Sequence, residues 1–269
     1  MKVAGKLVIF LAAAILFYHC SRGPYASTNK HYKKQAKQLA KTIGRAPVED
    51  TFATAGWVGT TNFNLRKPNY VILHHTAQNS CEQTLRTFTL ERTQVSAHYV
   101  ICKDGRVYHM LNDYLRAWHA GAGRWGNNSD INSSSIGIEI DNNGFEPFPE
   151  TQVTTLLDLL GHLKRAHGIP AANFIGHADI APTRKQDPNV YFPWKLLADS
   201  GYGVWWTDTT GVEVPADFNN IHALRVVGYE IRDSVAAIRA FKRKFLASEE
   251  AVITEPDRKV LYTLYRKVL

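Results

Sequence analysis

The 269 residues include 32 lysines and arginines against 24 aspartates and glutamates, a formal net charge of +8, and 45% of them are hydrophobic. Such a chain can bury a substantial core and is long enough for one domain of ordinary size plus a smaller one. Three cysteines are too few for a disulfide-framework scaffold, and the positive charge comes without a recognisable groove-reading motif, which sets nucleic acid aside as a partner.

Lys2 and Lys6 precede an apolar run from Leu7 to Tyr18, the length of a signal-peptide core and short for a membrane span, so residues 1–20 read as an export signal. Cys20 closes that run where a lipoprotein's lipid-bearing cysteine sits, although His19 is not the small residue such a cleavage site prefers. A lipid anchor on Cys20 therefore stands beside an uncleaved anchor or a later cut. The expectation is an exported protein of the cell envelope, periplasmic and membrane-anchored as an outer-membrane lipoprotein, in which Cys81 and Cys102 could pair. Residues 21–68 read as a tether and amino-terminal arm. Lys30, Lys33, Lys34, Lys37, Lys41 and Arg45 follow one another there without an acid, which suits a solvated tether or attraction to an anionic surface.

From Asn69 the pattern tightens. Tyr70 to His75 is a continuous apolar run that turns polar only at its end, as in a strand buried on both faces. Ser80 and Gln83 predict a capping box opening a helix with Leu85, Phe88 and Leu90. Ala97 to Met110 predicts a hairpin around Lys103-Asp104-Gly105-Arg106, because Asp-Gly favours the positive backbone angles of a tight turn. Ser135 to Asp141 alternates, with three isoleucines on one face and Gly137, Glu139 and Asp141 on the other. Glu150 to His167 carries Val153, Leu156, Leu157, Leu160 and Leu163 at helical spacing and stops at Gly168. Asn173 to Gly176 is a short strand that delivers His177.

Strands and helices thus alternate over residues 69–206, predicting an α/β fold with a mixed central β-sheet flanked by helices. A linker is expected over 207–216, where Thr, Gly and Pro concentrate. Beyond it, 217–269 predicts a small three-helix module leaning on the larger domain. Its apolar lines are Ile221, Leu224 and Val227; then Val235, Ile238, Phe241 and Phe245; then Val260, Leu261, Leu264 and Val268, the last behind a Thr254/Asp257 capping box.

Gly176 to Pro188 gathers His177, Asp179, Lys185 and Asp187 on a proline-stiffened loop, a poor way to build a core and a common way to carry chemistry. Catalytic zinc commonly takes three ligands from histidine and carboxylate and leaves a fourth position for water. His74 or His75, His177, and Asp179 or Asp187 could supply them. Spacing alone does not choose among these, except that adjacent strand residues face opposite ways and only one of His74 and His75 can take part.

The stretches VILHHTA, VSAHYVI, AWHAG, SIGIEI and GHADIAPTRKQDP, in this order over about 69–206, resemble the zinc-dependent N-acetylmuramoyl-L-alanine amidases, a family related to phage amidases and animal peptidoglycan recognition proteins. The likeness is greatest to the Gram-negative envelope lipoprotein amidases. It implies His74, His177 and Asp187 as ligands of one Zn2+ ion, Glu139 as general base and Lys185 as helper at the oxyanion. His75 then packs or hydrogen-bonds on the other face, and Asp179 orients the loop. His119 and His98 fall where the family lines its substrate groove, although each also suits a structural role; Trp118 and Trp125 could stack on sugar or wall a core. His162 and His167 read as a solvated face or helix-end partners.

The implied activity is hydrolysis of the amide between N-acetylmuramic acid and L-alanine, in peptidoglycan or muropeptides, by metal-activated water. The alternative is a non-catalytic peptidoglycan-binding or sensing protein. A serine or cysteine amidase is set aside, because no G-x-S-x-G occurs and Cys81 and Cys102 lack an evident catalytic partner. A monomer is expected. The carboxy-terminal helices resemble a divergent peptidoglycan-binding module, so their deletion is expected to weaken binding to intact sacculi more than hydrolysis of small muropeptides.

Overall fold

The computed structural model describes residues 23–44, 60–62 and 64–269; the apolar amino-terminal run and Cys20 lie outside these. The chain divides into two compact units, 1–63 and 64–269. In the first, the stretch expected as a tether contains an 18-residue helix, α1 (Ala26–Ile43). Its sequence is free of glycine and proline and rich in Ala, Lys and Gln, all good helix formers. Lys30, Lys33, Lys34, Lys37 and Lys41 recur at three- and four-residue spacing and form one stripe, while Tyr32, Ala36, Leu39 and Ile43 form another on the far side. Among the described residues no helix is long and apolar enough to cross a membrane.

The second unit is built on a five-stranded sheet in the order β3-β2-β4-β1-β5, from β1 (Tyr70–His75), β2 (Tyr99–Ile101), β3 (Val107–His109), β4 (Ser135–Ile140) and β5 (Phe174–Gly176). Only β2 and β3 pair antiparallel, as the hairpin whose Gly105 adopts φ +85°; β1 pairs parallel with both β4 and β5. Between the strands lie α2 (Cys81–Thr89), α3 (Ile131–Ser134) and α4 (Glu150–His167). After β5 come α5 (His177–Ile180) and α6 (Trp194–Asp199).

Period-two alternation divides the sheet's side chains between its faces. Val71, Leu73, Ile136, Ile138, Ile140 and Phe174 join Leu156, Leu160 and Leu163 of α4 and Trp194 and Leu197 of α6 in the main core. Ile72 and Ile175, on the opposite face, pack with Ala120, Ile131, Ile180 and Ala181. His74 and Glu139 belong to that second face and are register partners across β1 and β4. Burial of the isoleucine face thus fixes the register that brings the imidazole beside the carboxylate.

Cys81, the first residue of α2, is disulfide-bonded to Cys102 just past β2. The cap of α2 forms only half of the expected box. Ser80 Oγ accepts from the Gln83 amide, but Gln83 Oε1 reaches the amide of Asn79 rather than that of Ser80.

The last helices are α7 (Asn220–Val227), α8 (Ser234–Leu246) and α9 (Glu255–Val268), the third opened by the reciprocal Thr254/Asp257 box. Leu224, Val227, Phe241, Phe245, Val260, Leu261 and Leu264 make their core, against which Trp125, Val204, Trp205 and Trp206 pack. Val235, in the first turn of α8, and Val268, the last residue of α9, expected in the apolar lines, are exposed.

Candidate metal centre

His74 sits near the carboxyl end of β1 and Glu139 near that of β4, where an open parallel sheet leaves a crevice. β5 ends at Gly176, and the chain turns at once into the four-residue α5, whose first residue is His177. Asp179 caps that turn by accepting the Gly176 amide at 2.8 Å. The loop then folds back, and the Ala178 amide donates to the Asp187 carbonyl at 2.7 Å, which brings Asp187 beside His177. His75 points to the other face and accepts the Asn189 amide on Nδ1 at 3.1 Å, the hydrogen-bonding role expected of it.

His74, His177 and Asp187, all buried, offer one donor atom each to a common point. His74 Nδ1 is 2.9 Å from His177 Nδ1, and Asp187 Oδ2 is 3.0 Å from both. The hydrogen bonds on the far side of each ring fix which nitrogens carry protons. His177 Nε2 lies 3.1 Å from the Ala120 carbonyl, which can only accept, so Nε2 carries the hydrogen and Nδ1 a lone pair.

The His74 ring is fixed one step further out. Ser135 Oγ donates to the Ile131 carbonyl at 2.6 Å and must therefore accept from His119 Nε2 at 3.1 Å. His119 Nδ1 is then the acceptor for His74 Nε2 at 3.1 Å, which leaves the His74 Nδ1 lone pair facing Asp187. Burial, followed by the neighbouring His177, pushes His74 down to about 4, so its imidazole is neutral at pH 7.

Two imidazole lone pairs and a carboxylate at these separations repel unless a cation lies among them. Four-coordinate zinc with bonds of about 2.0–2.1 Å would need donor atoms roughly 3.3 Å apart, close to what is found. The donor set fits a divalent ion.

Glu139 Oε1 is 4.0 Å from His74 Nδ1. Burial first, and the Asp187 charge second, push its carboxyl well above the usual range. The half-buried Lys185, on the same loop as Asp187, pulls the other way on Glu139 through its charge. Among the described residues it makes no ion pair with Asp187, the bystander arrangement that would have given it a surface role.

The other expected residues divide. His119 is buried behind His74; its ring lies where a side chain on Gly137 would be, 2.4 Å from such a Cβ. His98 is wholly buried, accepting the Gly137 amide and facing the Leu115 carbonyl. Trp118 is 48% exposed, whereas Trp125 packs edge-on against Tyr229. His162 is exposed, but His167 is buried against Asp113, with Nε2 3.0 Å from Oδ2.

Sequence reasoning missed Ser135, Tyr229 and Lys244. Tyr229 and Lys244 both bond Asp179, and the one available signal was the basic run Lys242-Arg243-Lys244 between Phe241 and Phe245 inside an apolar helical pattern.

Residues 64–190 match the family described as N-acetylmuramoyl-L-alanine amidase. The chain is 34% identical over 151 residues to N-acetylmuramoyl-L-alanine amidase AmiD of Escherichia coli, a match covering 50% of this chain and 54% of that protein. The chain thus spans about half the length of that curated relative. In solved structures it resembles E. coli AmiD in complex with anhydro-N-acetylmuramic acid-L-Ala-D-gamma-Glu-L-Lys, with a TM-score of 0.68, 25% identity, and coverage of 78% of this chain and 93% of that one. It also resembles AmpDh3 of Pseudomonas aeruginosa, with a TM-score of 0.68, 26% identity, and coverage of 81% and 99%. Residues 64–190 are thus similar in sequence to the N-acetylmuramoyl-L-alanine amidases, and the fold resembles that of the AmiD amidase.

Proposed function

We propose that the chain is a zinc hydrolase that cleaves the amide between N-acetylmuramic acid and L-alanine in peptidoglycan or muropeptides. The observation that carries the reading is the convergence of His74 Nδ1, His177 Nδ1 and Asp187 Oδ2 beside Glu139. The muropeptide named in the AmiD complex supplies the substrate class.

His74, His177 and Asp187 would hold the ion, which supplies Lewis-acid polarisation and lowers the pKa of water. Glu139 takes a proton from the attacking water and gives it to the leaving alanine amine. Its burial suits that task, because a carboxyl raised above its usual range holds the proton between the two steps. Lys185 offers its ammonium to the oxygen that becomes negative as the carbonyl is attacked. His119 keeps His74 in the ligating tautomer, and His98 braces β4 through the Gly137 amide. The exposed indole of Trp118 remains available to stack on sugar.

The Cys81–Cys102 bond supports action in an oxidising compartment, which agrees with export to the cell envelope, with Cys20 as the candidate lipid-bearing residue. The lysine stripe of α1 suits the neighbourhood of an anionic surface. The proposed boundaries remain an amidase domain over 69–206, a linker over 207–216 and a peptidoglycan-binding-like module over 217–269, acting as a monomer.

The test is incubation of purified protein with muropeptides, with and without a chelator, followed by mass analysis of the products. The expected result is free stem peptide that disappears on chelation and returns with added zinc. Binding without cleavage would instead make the chain a sensor.

A further inference from the structure

Asp179 lies two residues after His177 and is 2% exposed, so its charge needs partners inside the protein. It has three. Oδ2 accepts the Gly176 amide at 2.8 Å and Lys244 Nζ at 2.8 Å, and Oδ1 accepts the Tyr229 hydroxyl at 2.9 Å. Two of the three come from the carboxy-terminal helical segment, Tyr229 just after α7 and Lys244 in the last turn of α8.

Lys244 is itself buried, with its ammonium 4.3 Å from the centre of the Trp194 ring and within reach of Trp125. Trp125 continues the linkage. Its ring occupies the space beside Gly228, where an added Cβ would meet it at 2.4 Å, and the following amide, that of Gly126, donates to the Gly228 carbonyl. One residue earlier, the Arg124 amide donates to the Ile180 carbonyl at 2.7 Å, at the end of the turn that carries His177.

From this geometry we infer that Lys244 and Tyr229 are positioning residues for the metal centre: by binding Asp179 they hold the His177 turn and the returning Asp187 loop in ligating register. The carboxy-terminal helices are therefore part of the site's construction and more than a wall-binding appendage. The inference rests on the metal reading above. Removing Lys244 leaves a buried carboxylate with one charged partner fewer, and the turn must shift to bring it to water. His177 Nδ1 and the Asp187 carboxylate then lose their common point, because the Ala178 amide to Asp187 carbonyl bond moves with the turn.

The test compares wild type, Lys244→Met, Tyr229→Phe and Leu264→Ala as full chains, at a temperature where all are folded. The readouts are the zinc dissociation constant by chelator competition and the visible spectrum of the Co2+-substituted protein. Leu264 lies in the core of α7–α9, so its truncation reports general loosening of that bundle. Lys244→Met is expected to weaken zinc about 10–100-fold, the usual cost of losing a group that orients a ligand, and to lower the intensity of the four-coordinate cobalt bands. Tyr229→Phe, which removes a single oxygen and keeps the ring, is expected to show a smaller loss in the same direction and stands in should Lys244→Met fail to fold. Leu264→Ala is expected to lower Tm without changing zinc affinity. Unchanged zinc affinity in Lys244→Met and Tyr229→Phe, or an equal loss in Leu264→Ala, overturns the inference while leaving the metal reading intact. A wild type that retains no zinc overturns both.

Discussion

Glu139→Gln is expected to retain zinc at the wild-type level and to lose turnover by about 10²–10⁴-fold, the range for removing a positioned general acid–base. In activation free energy that is about 3–5 kcal/mol. Glutamine keeps the volume of a side chain that is only 12% exposed and stands on β4, between β1 and β2 in the sheet, so the fold has no reason to change. What it cannot do is accept a proton from water and return it. Two measurements on one preparation check this, kcat on a muropeptide and metal content. A variant whose kcat lies within the wild-type range would remove Glu139 from the mechanism, and one that turns slow only by losing zinc would make it a ligand.

The second large effect is expected at Asp187. Asp187→Ala removes one of the three donor atoms and the negative charge that offsets the ion, leaving two neutral imidazoles. Its loss of zinc affinity should exceed the roughly 10–100-fold associated with groups one step further from a metal. His74 and His177 also lose their shared carboxylate partner, so the apo protein should show altered histidine resonances even without metal. Chelator competition gives the affinity. Equal zinc retention by wild type and Asp187→Ala would mean that the ion is held elsewhere.

These effects follow from two kinds of information, and the sequence exposes them unequally. The strands were legible because burial on a sheet imposes a two-residue period: Ile136, Ile138 and Ile140 reach the main core, and Glu139 between them reaches the crevice. His74 was separable from His75 only as a pair facing opposite ways; the resemblance, not the spacing, selected it. Helix stops at Gly168 and Gly228 and the Thr254 cap follow local backbone chemistry, and they appear where expected.

What was not legible depends on partners far along the chain. His119 carries nothing in its neighbourhood that says it will face His74 from 45 residues away and take its orientation from Ser135. Lys244 lies 65 residues from Asp179, and a basic residue near a helix end ordinarily reads as solvated. His167 shows the same limit, since its partner Asp113 is 54 residues earlier. The helix in the tether was missed for a different reason. Its lysine spacing suits a solvated tether by charge alone, although three- and four-residue recurrence without glycine or proline is also a helical pattern.

The direct test of the account is anomalous diffraction at the zinc absorption edge from crystals of the protein grown with zinc. The account requires one peak bonded at about 2.0–2.2 Å to Nδ1 of His74, Nδ1 of His177 and an Asp187 carboxylate oxygen, with both Nε2 atoms still facing His119 and the Ala120 carbonyl. A peak bonded through either Nε2, an ion away from these three residues, or no ion there at all would contradict it.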